Sequence, residues 1–285
     1  GRVGGEEGAA DEFGRIVGLL ADEDGLVYVA DAMAIEIRVF DGSGSLVRRL
    51  GREGAGPGEA YTPFWRVGEA GGELVFVRQT PAGPADTLPS PPAAETQSLR
   101  VRCILAGGQG ISVYGADFAP LLLRVPAPGV VNALAWTAEY RIALVTAQGD
   151  TVRVVERDLP PMPVPDDLWR EEVAKFAEYL DGLPDPQCEP AKLPRLEAMA
   201  RLRAITFDAE GRPWVERRAA SGGFALDAFD TDGRLLGTVP IPDRLERVPP
   251  YIRDGRLYLV VTDEFEVEYV KVFEIDGAAF EIGGV

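Results

Sequence analysis

Along this chain the apolar positions fall in short runs with the two-residue period of strands. The runs are separated by turns in which an acidic residue and a glycine recur. The clearest unit reads Asp22-Glu23-Asp24-Gly25-Leu26-Val27-Tyr28-Val29, then Ile37-Arg38-Val39-Phe40-Asp41, then Gly44-Ser45-Leu46-Val47-Arg48. A second copy runs from Asp208 through Trp214-Val215 to Ala228-Phe229-Asp230 and Gly233-Arg234-Leu235-Leu236. A third runs from Asp254-Gly255 through Tyr258 to Val272-Phe273-Glu274 and Gly277. In each, the strand after the first turn carries an aromatic three residues past its glycine (Tyr28, Trp214, Tyr258), and a second hairpin follows. Fainter copies begin at Gly72 and at Gly129, the latter leading through Tyr140-Arg141-Ile142 to the turn at Gln148-Gly149-Asp150. Two hairpins make a four-stranded meander, and a single small sheet cannot bury both of its faces. The expected fold is therefore all-β: a β-propeller of four-stranded antiparallel blades, with five countable units in one domain spanning 1–285.

Two interruptions break the spacing. Residues 81–94 hold Pro81, Pro84, Pro89, Pro91 and Pro92, which remove backbone donors and predict a loop. After Pro160-Pro161-Met162-Pro163, the segment Asp166 to Leu180 places Trp169, Val173, Phe176 and Leu180 at helical spacing, opens with two acids and ends at Gly182. This predicts a short helix near 165–182 within an insertion covering 160–200. Its apolar stripe either packs on its own domain or meets a partner through residues such as Trp169.

Composition narrows the chemistry. Forty-six acidic residues against 29 basic ones give a net charge of −17, a field that repels nucleic acid and anionic lipid and favours basic partners or cations. No apolar run approaches the roughly 20 residues needed to span a bilayer, so no transmembrane segment is expected, while peripheral membrane association stays open. Gly1 stands where an initiator Met would, so the chain reads as processed or truncated. Histidine is absent, which excludes a Ser-His-Asp triad and any imidazole-ligated metal, and two cysteines are too few for a thiolate cage. No catalytic set can be assembled on these grounds. Cys103 and Cys188 either bridge, closing a long loop, or stay as two thiols.

The segment Gly51-Arg52-Glu53-Gly54-Ala55-Gly56-Pro57-Gly58-Glu59, following Val29-Ala30-Asp31 and Val39-Phe40-Asp41, resembles the first blade of exported bacterial six-bladed β-propellers related to NHL repeats. Tyr140-Arg141-Ile142, Val154-Val155-Glu156-Arg157 and Asp232-Gly233-Arg234-Leu235-Leu236-Gly237 extend the resemblance over most of the chain. It implies six blades, an extracytoplasmic location and a channel rim that binds partners or ligands. A sixth blade would have to come from an irregular sheet between Leu99 and Val125. The resemblance also spans protein-binding modules and calcium-dependent lactonases and lyases, so fold alone assigns no activity.

Candidate sites follow from residue chemistry. No cofactor is required; calcium is the metal still accessible without His, with Asp31 as a weak ligand candidate. Glu264-Phe265-Glu266-Val267-Glu268 reads as a strand with three carboxylates on one face, a patch for a cation or a basic partner. Trp65 with Arg66, and Tyr140 with Arg141, offer a sugar or peptide surface. The leading expectation is a non-enzymatic scaffold that docks a protein partner, as an accessory subunit of an extracytoplasmic or membrane-associated complex. A calcium-dependent enzyme and a carbohydrate or small-ligand sensor are the alternatives.

Overall fold

In chain order the computed structural model holds strands β1 (Arg2–Val3), β2 (Ile16–Ala21), β3 (Val27–Asp31), β4 (Glu36–Phe40), β5 (Leu46–Leu50), β6 (Arg52–Glu53), β7 (Glu59–Ala60), β8 (Arg66–Ala70), β9 (Glu73–Val77), β10 (Arg100–Ile104), β11 (Ile111–Gly115), β12 (Leu122–Pro126), β13 (Asn132–Trp136), β14 (Arg141–Val145) and β15 (Thr151–Glu156). Helix α1 (Asp166–Asp181) follows, then β16 (Leu202–Phe207), β17 (Pro213–Arg218), β18 (Phe224–Phe229), β19 (Leu235–Ile241), β20 (Tyr251–Arg253), β21 (Arg256–Thr262), β22 (Glu268–Asp276) and β23 (Glu281–Gly284). Outside these elements the described residues are 12–50, 116, 118–127, 132–146, 149–183, 186, 188, 193, 195–220, 222–242, 244 and 248–276; for β1, β6 to β11 and β23 the description is of the backbone. The proline-rich stretch 81–94 and Trp65 lie outside the described residues.

The fold is all-β, of the four-stranded blades that build β-propellers. Sheets β2-β3-β4-β5, β12-β13-β14-β15 and β16-β17-β18-β19 are antiparallel meanders in sequence order. The last sheet has the order β20-β21-β22, and its fourth position is filled from both ends of the chain: β1 pairs Val270 and Lys271 of β22, and β23 pairs Phe273 to Asp276. Shorter antiparallel pairs β8-β9 and β10-β11 lie between, the second where a sixth, irregular sheet is expected from the sequence. The Gly51 to Glu59 segment contributes a two-residue parallel pair, β6 with β7.

The chain divides into two compact units, one formed by Gly1–Thr87 with Ala204–Val285, the other by Leu88–Arg203. In the first unit three sheets stack face to face, and strand alternation shows how. Along β21, Leu257, Leu259 and Val261 turn to Trp214, Leu226 and Val239 of the β16–β19 sheet, whereas Tyr258 and Val260 turn to Ile16 and Val29 of the neighbouring β2–β5 sheet and to Phe13 just before it. The β2–β5 sheet repeats the trick: Val27 and Val29 face one way, Tyr28 and Ala30 the other. A sheet buried on both faces reads as a near-continuous apolar run, which is why Leu257 to Val261 has no polar residue. Within this unit a buried ion pair joins Glu216 on β17 to Arg244, whose other nitrogen donates to the Val248 carbonyl.

In the second unit α1 ends at Gly182, whose N–H bonds the Glu178 carbonyl, and begins with Asp166 and Asp167 at its positive end. Trp169, Phe176 and Leu180 are buried against Phe118, Val164, Leu193 and Leu196, so the helix covers its own unit. Val173 is half-buried; Glu172, which lacks the apolar character of the stripe, is buried beside it. Arg195 pins the helix start through an ion pair with Asp166 and stands 6.0 Å over the Trp169 ring.

Candidate functional site

One turn design closes seven of the hairpins among the described residues. In it the first residue donates its N–H to the carbonyl of the fifth and accepts from the N–H of the fourth, as in 22–26, 41–45, 146–150, 208–212, 219–223, 230–234 and 263–267. This is a type I turn closed by a left-handed residue, and at Gly25 and Gly44 that residue has φ of 77° and 87°. Where the first residue is Asp, its carboxylate also accepts backbone N–H groups inside the turn. Asp22 Oδ1 takes those of Asp24 and Leu26, and Asp41 Oδ1 takes those of Ser43 and Ser45. The repeat aromatics complete the design: Tyr28 Oη donates to Asp22 Oδ2 at 2.8 Å and Trp214 Nε1 to Asp208 Oδ2 at 2.9 Å.

Segment 263–267 has this same design, which corrects the strand expected over Glu264 to Glu268. Asp263 Oδ1 accepts the N–H groups of Phe265 and Val267, and Glu266 occupies the glycine position at φ 63°. The alternation of acid and apolar residues hid the turn because the usual glycine is missing. Glu264 and Glu266 are therefore exposed on a loop, while Glu268 opens β22 and accepts the Ile16 N–H through Oε2 at 2.6 Å. The three carboxylates do not share a strand face.

Asp31 performs a similar task at the end of β3. Its Oδ1 accepts from Arg15, Met33 and Ala34 N–H, its Oδ2 accepts from Gly14 N–H at 2.9 Å, and Arg38 Nη2 lies 3.6 Å away. The side chain is buried and its oxygens are committed to the backbone, an arrangement that serves loop geometry. Among the described residues no group of three or more His, Cys, Asp or Glu is placed to hold a metal.

These two loops share one end of the first unit. The β3–β4 loop packs on Gly14, where an added Cβ would stand 2.8 Å from Met33 Cβ; two residues further on, Ile16 N–H is held by Glu268. Two residues span at most about 7 Å, so the loops are anchored on neighbouring points of one strand entry. The tips of both loops are apolar and exposed: Met33 is 73% accessible and Phe265 63%. Each is the second residue after its capping Asp. In the turns at the opposite end of the β2–β5 sheet, and in the two Asp-capped turns of β16–β19, the same position holds Asp24, Ser43, Glu210 and Asp232. Exposed carboxylates of Glu12, Glu264 and Glu266 flank the apolar pair, with Arg15 the basic residue among them.

A concavity lies in the other unit. Glu139, Tyr140, Arg141, Glu156, Arg157 and Asp158 line an open cleft of ≈ 350 Å³. Tyr140 is buried, with the Arg157 guanidinium 5.8 Å from its ring centre, and the exposed Arg141 faces Glu156 at 3.7 Å. The Tyr140 ring is thus a packed wall, and its face is not laid open as a stacking platform. Arg66 lies on β8, and Trp169, on α1, is buried in the helix's packing against its own unit. Cys188 is half-buried against the helical cluster and is disulfide-bonded; Cys103 lies on β10. Met33 and Phe265 escaped the sequence reading. The signal that finds them is an apolar residue two places after a turn Asp, where the other turns have a polar one.

No protein-family model matches the chain, and no curated protein matches it. Among solved structures it is similar to a protein of Bacteroides fragilis described as exported, with 10% identity, covering 95% of this chain and 93% of the other at a TM-score of 0.43. It is likewise similar to regucalcin, a calcium-binding protein of Agrobacterium tumefaciens (14%, 100% and 95%, 0.36), and to virginiamycin B lyase of Staphylococcus aureus (13%, 97% and 74%, 0.28). Likenesses at these scores carry no argument about activity. The fold class stands on the sheets themselves. Among the described residues no helix is long and apolar enough to cross a membrane.

Proposed function

We propose that the chain is a non-enzymatic binding scaffold that docks a protein partner on the end carrying Met33 and Phe265, outside the cytoplasm. The observation that carries this reading is the contrast between loop tips that stand two residues after a capping Asp. Four such tips, Asp24, Ser43, Glu210 and Asp232, are polar, whereas two neighbouring ones present the exposed Met33 and Phe265 on Asp-capped loops. Burying such side chains contributes about 1.5–3 kcal/mol each, and rigid presentation lowers the ordering cost on binding. The disulfide at Cys188 supports an oxidising compartment. Six antiparallel sheets follow one another among the described residues, two of them two-stranded, and the reading of these as six blades of the NHL-like type rests on the resemblance of the sequence.

A photoreactive phenylalanine analogue introduced singly at 33, 265, 43 and 232 tests the reading in the envelope of producing cells. Discrete adducts from 33 and 265, with none from 43 and 232, are expected. Equal labelling from all four positions, or none from any, overturns it. Calcium titration of the purified chain separates the scaffold from a calcium-dependent lactonase or lyase: the scaffold's thermal midpoint is expected to stay unchanged on adding calcium or chelator.

A further inference from the structure

We infer that the partner element taken by this end is a short cationic segment of another protein, with apolar side chains flanked by Lys or Arg. The inference rests on the docking reading above and adds the chemistry of what docks. Three observations converge on it.

First, the apolar tips are few and close. Met33 rests on Gly14, and Phe265 lies three residues before Glu268, which is bonded to Ile16, so one short peptide can reach both. Second, the flanks are anionic. Glu264 and Glu266 bracket Phe265 on either side and Glu12 is exposed at the strand entry; against these stands Arg15, while Arg49 at the foot of the β3–β4 loop is taken up by an ion pair with Glu36. The chain as a whole carries −17, so its long-range field also draws a basic segment and repels an acidic one or an anionic membrane. Third, the backbone of both loops is held in an uncommon conformation. Ile35 (φ 54°) and Glu266 (φ 63°) are two of the three non-glycine residues with positive φ among the described residues, and both stand in the loops that present Met33 and Phe265. A β-branched residue in that region is a rare choice, and such outliers gather where the chain must hold a particular shape. Ile35 turns inward onto the Tyr28 and Val39 cluster, which leaves Met33 directed out.

The test uses the full chain and a labelled set of short synthetic peptides, read by fluorescence anisotropy at two ionic strengths. The peptides carry the same two apolar residues flanked by Lys, by Ser or by Glu, together with a Lys-rich peptide lacking apolar residues. The Lys-flanked apolar peptides are expected to bind best and to weaken with salt. Phe265→Ser or Met33→Ser should weaken them on the order of tenfold or more, and Glu264→Gln with Glu266→Gln should weaken the Lys-flanked peptides while leaving the Ser-flanked ones unchanged. These positions are exposed, so the variants should fold, and thermal unfolding checks that they do. Ser- or Glu-flanked peptides that bind as tightly, still through Phe265, overturn the charge inference and leave the docking reading standing. Lys-peptide binding indifferent to Phe265→Ser and Met33→Ser is charge attraction alone and overturns the inference. Phe265-dependent self-association in sedimentation velocity, or Phe265-dependent binding to phosphatidylcholine vesicles, assigns the end to a second copy or a lipid surface and also overturns it.

Discussion

At the scale of single residues, Glu266 stands out because it holds a glycine's place. The left-handed conformation costs an L residue roughly 1 kcal/mol, and the same turn is closed elsewhere by Gly25 or Gly44 at no such cost. Glu266→Gly is therefore expected to raise stability by about 0.5–1 kcal/mol, measured as a higher urea midpoint at unchanged slope. A lower midpoint would mean that the Glu266 side chain makes a contact in the native chain that outweighs its backbone strain. Asp31 shows the reverse economy: one buried carboxylate holds four backbone N–H groups, so a side chain that looks like a ligand from its position in the sequence is consumed by the loop it shapes.

At the scale of elements, what could be read from the sequence followed the regularity of the turn. Where Asp opened it and Gly closed it, as at Asp22 to Gly25, the hairpins, their aromatic neighbours and the strand faces could all be placed. Where Glu266 replaced Gly, period-two alternation mimicked a strand and the site was misplaced by one element. The α1 stripe was legible because four apolar residues keep helical spacing; the burial of Glu172 was not, since a carboxylate on a helix is ordinarily solvated. The Asp22 hairpin also makes a pH-dependent cross-link. Burial first, and the hydrogen bond to Asp22 second, push the Tyr28 phenol above its ordinary value. A group whose folded value is raised stabilises the fold fully below the unfolded value, about 10 for tyrosine, and that contribution is lost as pH climbs through the folded value. Above that point two anions would face each other. Stability of the native chain is thus expected to fall more steeply above pH ~10 than that of Tyr28→Phe; parallel curves would show that the turn does not sense the phenol.

At the scale of the molecule, the second unit combines a sheet of four strands, a two-stranded pair and a helix, in a stretch of sequence rich in proline. A covalent tie suits such a unit, because cross-linking residues far apart in sequence removes conformational freedom from the unfolded chain. Cys188 sits against the Phe176 and Leu196 cluster, and Cys103 is the other cysteine of the sequence, on a strand of the same unit. The expected bridge is Cys103 to Cys188. Reduction should then lower unfolding stability by about 2–4 kcal/mol, and the Cys103→Ser, Cys188→Ser double variant should unfold at one denaturant concentration with or without reductant. A native chain whose midpoint ignores reductant, or which runs as a dimer on a non-reducing gel, would remove the bridge within the chain and with it one support for an oxidising compartment. Because the apolar tips at Met33 and Phe265 belong to the other unit, peptide binding there should survive reduction under native conditions, so the docking end and the covalent tie can be tested independently.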